Sequence, residues 1–284
     1  MNIPILKTIS TKTNEEHNIF ICSDLHFGCD GQNISKLKSD FDKAVKQNAM
    51  IIIVGDWGEF IIPQDKKRYT SSRDILKNDN QLLDTVELAY SFLKDYANNI
   101  LMIGTGNHEA TISKFHSFDP TQSLIFRLRR EAGAKELYHG QYSGFIRLSF
   151  GRGKDGNSNK QKYDIFYTHG QGGGATPNGS VTMLKAHMYN KQADFYTMGH
   201  SHAPVVIPSE TMMHLNSAGN IKVKKRVGVL TGCYSGVNPD IYDAMVSGYR
   251  PEYGEEKMRN LQGEGGAMLT LTYLDDRIDS KVTV

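Results

Sequence analysis

Residues 50–60 read Met50-Ile51-Ile52-Ile53-Val54-Gly55-Asp56-Trp57-Gly58-Glu59-Phe60: an apolar run, then a glycine, then an acid. The run is too short for a helix and rich in β-branched residues, so it predicts a strand, and its lack of polar alternation predicts burial on both faces. Gly55 lets the backbone approach a neighbour closely, and Asp56 then sits at the strand end. Working outward, Ile19-Phe20-Ile21-Cys22 and Ile100-Leu101-Met102-Ile103 are runs of the same kind. Between the first two, Leu37, Phe41, Ala44 and Val45 recur at helical spacing and predict a helix over 34–48. Between the second and third, Leu82, Leu83, Val86, Ala89, Tyr90, Leu93, Tyr96 and Ala97 form a longer stripe of the same type. Strand, helix, strand, helix, strand is the order expected of parallel strands joined by crossover helices.

Farther along, Leu124, Ile125 and Leu128 predict a helix over 121–132, with Asp119 or Thr121 near its start and Gly133 past its end. Arg127, Arg129 and Arg130 read as its solvated face. Alternation at 145–150 and an apolar stretch at 163–168 predict a long-looped hairpin, with turn chemistry at Lys154-Asp155-Gly156-Asn157. A helix near 181–192 and strands near 227–233 and 267–273 follow, then Asp275-Asp276 as a turn before a last strand. The second half is therefore strand-dominated. With no repeat and no linker, residues 1–284 are expected to form a single domain, an α/β fold in which two βα-rich halves face each other as sheets with helices outside.

Composition narrows the function. At 39% hydrophobic and 23% charged residues over 284 positions, the chain is neither disordered nor fibrous. Lys and Arg total 33 against 31 Asp and Glu, without the strong basic excess of an obligate duplex-DNA binder. Cys22, Cys29 and Cys233 make no CxxC pair and are odd in number, which points to a reducing compartment. The amino terminus reads as neither a secretory signal nor a membrane span, so a soluble, cytoplasmic protein is expected.

Five blocks carry chemistry, and each finishes an apolar run or follows one directly. In Ser23-Asp24-Leu25-His26, an extended chain would point Asp24 and His26 to one face, where they can share a metal ion. Asp56 has two oxygens and can bridge two cations. In Gly106-Asn107-His108-Glu109, Asn107 offers an amide oxygen as a hard ligand and His108 a proton for a leaving oxygen; a helix N-cap reads the same residues equally well. Thr168-His169-Gly170 precedes a glycine-rich loop that lacks the ending of a P-loop, leaving His169 as a ligand candidate. Gly199-His200-Ser201-His202 is the strongest single block, since two histidines at i and i+2 of an extended chain can present both imidazoles on one face and are rarely explained by packing. Together these oxygen and nitrogen donors suit a pair of divalent transition ions with open positions for water or substrate. Two such ions outweigh the charges of Asp24 and Asp56, leaving a positive site that attracts phosphate.

This ordered set, DLH, GDWGE, GNHE, THG and GHSH, resembles the calcineurin-like metallophosphoesterase superfamily over roughly residues 18–204. The resemblance implies a four-layer α/β/β/α sandwich with a dinuclear metal centre on the strand-end loops. It implies Asp24, His26 and His202 as ligands of one metal, Asp56 as the bridge, and Asn107, His169 and His200 as ligands of the other. His108 matches the family's non-ligand histidine beside the leaving group. Where the family often has Asp or Asn to orient that histidine, this chain has Glu59, which is expected to do the same. The cofactors implied are two divalent ions, with Mn2+, Fe and Zn2+ all accepting this donor set.

The reaction expected is attack on phosphorus by a hydroxide held on the metals, with His108 assisting the departing oxygen. Protein phosphatases of the superfamily follow the acidic position with Arg-Gly, whereas here Phe60-Ile61 follow Glu59. The leading expectation is therefore a phosphodiesterase acting on a nucleotide or a nucleic-acid end. The alternatives are a phosphomonoesterase, including a protein phosphatase, and a non-catalytic metal-binding scaffold. Tyr234, Tyr242, Tyr249, Arg250 and Tyr253 could line a groove by stacking on bases, although packing explains such residues more often.

Overall fold

The computed structural model describes residues 3–29, 31–63, 80–152, 158–172, 177–215, 218–235, 263–274 and 277–284. Its first half runs β1 (Ile5–Ser10), β2 (Glu16–Cys22), α1 (Ile34–Lys46), β3 (Met50–Ile53), α2 (Gln81–Leu93), β4 (Ile100–Ile103), α3 (Asn107–His116), α4 (Pro120–Glu131) and β5 (Tyr138–His139), with a 3-10 turn at Lys94–Tyr96. The second half runs β6 (Ser143–Arg152), β7 (Ser158–Thr168), α5 (Asn178–Asn190), β8 (Phe195–Met198), β9 (Val205–Leu215), β10 (Ile221–Leu230), β11 (Ala267–Tyr273) and β12 (Ile278–Thr283).

These strands build two six-stranded sheets, ordered β12-β11-β2-β3-β4-β5 and β1-β6-β7-β8-β10-β9. In the first sheet β2, β3, β4 and β5 are mutually parallel, as the crossover reading requires. In the second, β7, β8 and β10 are parallel while the β6–β7 and β9–β10 pairs are antiparallel. The turn residues expected at 154–157 and 275–276 lie outside the described residues.

Period-two alternation sorts the side chains into layers. Ile51 and Ile53 of β3 face α1 to α4, packing with Leu37, Phe41, Val86, Ala89, Ile112, Leu124 and Leu128. Ile52 faces the other way, between the sheets, with Ile19, Ile21, Ile146, Leu148, Ile165 and Val229. Beyond the second sheet, Leu184 and Met188 of α5 cover Phe166, Tyr196 and Leu230. The result is the α/β/β/α sandwich.

Local signals set the helix ends. The Asn33 side chain accepts the Lys36 N–H (3.0 Å) at the start of α1, and Lys43 and Lys46 lie in its last turn. Asp119 caps α4 by accepting the Gln122 N–H (2.9 Å), with Pro120 at the first helical position. The arginines of α4 are more than a solvated face: Arg127 pairs with Glu87 and lies 4.0 Å over the Tyr90 ring, and Arg129 Nε donates to Leu137 O (3.0 Å). They tie α4 to α2 and to the segment leading into β5. Among the described residues, no helix is long and apolar enough to cross a membrane.

Candidate metal centre

Pairing continues past the strand ends, and that places the first two blocks side by side. Beyond β2 and β3, Asp24 N–H donates to Gly55 O (3.0 Å), His26 N–H to Asp56 O (3.2 Å) and Phe27 N–H to Trp57 O (2.9 Å). Glu59 N–H then returns to Phe27 O at 2.9 Å. Trp57, fully buried, anchors this loop through Nε1 to Thr121 Oγ1 (3.1 Å) on α4.

The third block enters by close backbone approach. A Cβ on Gly106 would lie 2.1 Å from Asp56 Oδ1, and one on Gly55, whose φ is +119°, would lie 2.6 Å from Gly106 N. Only glycine fits at either point. Asn107 opens α3 here, so this block is both a strand-end loop and a helix start, and the two readings of its sequence are compatible.

The expectation of extended chain at Asp24–His26 and at His200–His202 is corrected. Asp24, His26, Asp56, His200 and His202 all adopt left-handed φ between +46° and +66°. Each such conformation costs a non-glycine residue about 1–3 kcal/mol, and Asp and His are among the types that tolerate it best. The backbone turns back on itself at each position, so side chains two apart need not share a face.

The side chains converge in three groups whose ligand atoms lie within 4.8 Å of one another: Asp24–His26–His202, Asp56–His169–His200 and His26–Glu59–His108. In the first, His202 Nε2 is 3.1 Å from Asp24 Oδ1 and 3.4 Å from His26 Nε2. In the second, His169 Nε2 lies 3.0 Å from Asp56 Oδ2 and 3.1 Å from Asn107 Oδ1. His200 and His202, adjacent in one block, therefore fall into different groups. Asp56 Oδ1 also accepts the His108 N–H (2.9 Å), and His108 Nε2 stands 3.9 Å from Asp56 Oδ2.

Glu59 reaches two histidines. Its carboxylate is 2.6 Å from His26 Nδ1 and 3.8 Å from His108 Nδ1, while its backbone carbonyl accepts from His108 Nδ1.

Electrostatically the pocket is short of positive charge. Burial would raise both Asp24 and Asp56, yet His202 beside the first and His169 beside the second hold both carboxyls down. Burial would lower His169, but the Asp56 charge and hydrogen bond lift it to about 9; His26 is lifted likewise by Glu59. Carboxylates that hold protons on these buried imidazoles would hold divalent cations in their place. The donor set, all nitrogen and oxygen with ligand atoms within 4.8 Å of one another in each group, fits such ions.

Several residues outside the expected set support this cluster. Glu109 is fully buried and accepts the N–H groups of Asp56, Gly58 and Gly106. Its position three residues past a helix cap was the available signal; its reach into the Asp56 loop is a tertiary fact. Ser23 Oγ donates to Asp24 and lies 2.6 Å from Thr231 Oγ1, and the Cys233 side chain hydrogen-bonds His202. Tyr234, a candidate for stacking on bases, is instead fully buried, its hydroxyl donating to Asp40 Oδ2 (2.9 Å). Tyr242, Tyr249, Arg250 and Tyr253 lie outside the described residues.

Residues 17–204 match the family model described as calcineurin-like phosphoesterase. No curated protein matches the chain. Among solved structures, it is similar to a conserved uncharacterized protein, a predicted phosphoesterase, from Streptococcus pneumoniae TIGR4, at 12% identity over 95% of this chain and 99% of that one, with a TM-score of 0.35. It is also similar to a metallophosphoesterase from Sphaerobacter thermophilus, at 14% identity over 94% of this chain and 88% of that one (TM-score 0.32). A third likeness is to Chaetomium thermophilum Vps29, at 9% identity over 94% of each chain (TM-score 0.32).

Proposed function

The chain belongs to the calcineurin-like phosphoesterase family, and on that premise we propose that it hydrolyses phosphodiesters, with a nucleotide or a nucleic-acid end as substrate. Asp24, His26 and His202 would hold one divalent ion, Asn107, His169 and His200 a second, and Asp56 would serve both. The observation that carries this reading is the convergence of Asp24–His26–His202 and Asp56–His169–His200 into two adjoining donor groups from loops far apart in sequence. When bound, the two ions would neutralise phosphoryl charge and acidify a water enough for it to ionise near neutral pH.

The remaining chemistry falls to the chain. His108 stands over Asp56, with Nδ1 bonded to the Glu59 carbonyl, so that Nε2 is the nitrogen left to meet a departing oxygen. Glu59 positions histidines rather than touching substrate. At the next position Phe60 is buried edge-on against Trp57, with ring centroids 5.0 Å apart, and supplies packing where the protein phosphatases of the superfamily have an arginine. That difference supports diester over monoester chemistry. The odd number of cysteines, Cys22, Cys29 and Cys233, with no CxxC pair among them, supports a reducing, cytoplasmic setting.

Turnover of bis-p-nitrophenyl phosphate against p-nitrophenyl phosphate, each with Mn2+ added, tests the reading. Faster diester hydrolysis is expected. A monoester preference overturns the diester assignment, and a metal-replete protein inert on both points to a non-catalytic binding role.

A further inference from the structure

Between β5 and β6 the chain passes through Gly140-Gln141-Tyr142, which belongs to none of the donor-bearing blocks yet is tied to two of them. On one side, Gly140 N–H donates to Ile103 O (2.9 Å) and Thr105 N–H donates to Gln141 O (2.8 Å), just ahead of Asn107. On the other, His169 N–H donates to Tyr142 O (2.9 Å), and the Tyr142 hydroxyl donates to Gly170 O (2.5 Å). Gln141 sits between these bonds with a left-handed φ of +55°. The Tyr142 ring stands edge-on to the His169 imidazole, with centroids 5.7 Å apart at 82°.

His169 needs such a neighbour. A metal-binding histidine usually has its far ring nitrogen fixed by a hydrogen bond, which sets the ring's orientation. With Nε2 turned toward Asp56 and Asn107, the far nitrogen is Nδ1, and it is buried with no hydrogen-bond partner among the described residues. Packing must therefore hold the ring, and Tyr142 touches His169 through its ring and its carbonyl, and Gly170 through its hydroxyl.

We infer that Tyr142 is a positioning residue for the Asp56–Asn107–His169–His200 side of the metal centre: it fixes the His169 imidazole and, through the Gly140–Tyr142 bracket, its distance from Asn107. The inference rests on the metal centre proposed above. Tyr142→Phe keeps the ring and loses the bond to Gly170, whereas Tyr142→Ala loses both.

Mn2+ titration of the full chain, followed by calorimetry and by the signal of free Mn2+, reads the result, with melting of the metal-free proteins alongside. The wild type is expected to take two equivalents. Tyr142→Ala should weaken one of them about tenfold or more and leave the other unchanged, with Tyr142→Phe between the two. In a His202→Ala background, which removes a donor from the other group, the weakened equivalent should be the one that remains. Two unchanged affinities in Tyr142→Ala, or two that fall together in step with a lower melting temperature of the metal-free protein, overturn the role of Tyr142. A wild-type chain that takes up no Mn2+ overturns the metal centre itself, and this inference with it.

Discussion

The carboxylate of Glu109 accepts the backbone N–H of Asp56 at 3.1 Å, and the same side chain accepts those of Gly58 (3.0 Å) and Gly106 (2.7 Å). One buried acid thus joins the loop bearing Asp56 to the loop bearing Asn107 and His108. Glu109→Ala would leave three buried N–H groups without an acceptor, at about 1–3 kcal/mol each. A loss of at least about 3 kcal/mol in the unfolding free energy of the chelator-treated protein is expected by urea titration. A loss below about 1 kcal/mol would mean that water or a shifted backbone replaces the carboxylate.

The His108 Nε2 and Asp56 Oδ2 atoms lie 3.9 Å apart, yet the two residues separate in their expected effects. His108→Ala should retain both metal equivalents by elemental analysis and lose most turnover, on the order of 100-fold or more for a proton donor. Asp56→Ala should lose metal as well as turnover. Equal metal loss in the two variants would remove His108 from the role beside the leaving group.

Glu59 offers a cleaner separation. A carboxylate working through His108 would lower turnover with metal content intact. The 2.6 Å contact to His26 Nδ1 instead makes it an outer partner of an imidazole proposed to bind metal. Although burial would raise it, the neighbouring His26 and His108 hold this carboxyl down to about 2. Glu59→Gln should therefore weaken one Mn2+ equivalent about tenfold or more, because a neutral amide no longer strengthens the imidazole as a donor. Unchanged affinity with reduced turnover would return Glu59 to His108.

The same contrast marks how far the sequence could be read. The strands at β2, β3 and β4 were legible because burial on both faces leaves uninterrupted apolar runs, and the candidate donors stood out because each follows such a run. β1 and β9 were not, since they are edge strands of the second sheet, and in β1 the exposed positions break the apolar run. The first half of β10 was hidden as well, by the lysine-rich Ile221–Lys225, which is exposed except at the half-buried Lys224. Nor did spacing reveal which donors meet. His200 and His202 separate because both backbones are left-handed, a conformation that carries no glycine or asparagine signature here. Glu59 and Tyr142 act through contacts set by loop packing, with no periodicity to announce them.

Acid stability gives a test away from the proposed metal centre. His187 on α5 packs against Phe166, with ring centroids 5.1 Å apart, and burial followed by the Lys191 charge holds its imidazole below the usual 6.5. The unfolded chain takes up this proton at a higher pH than the folded chain does. Its contribution is therefore fully present above pH 6.5 and is lost as pH falls toward the folded value. His187→Gln is neutral throughout, so between about pH 7.5 and 5.5 its urea midpoint should fall less than that of the wild type. Histidines of the proposed metal centre titrate alike in both proteins and cancel in the difference. Parallel decline of the two midpoints would show that the His187 proton is bound equally well in the folded and unfolded chains.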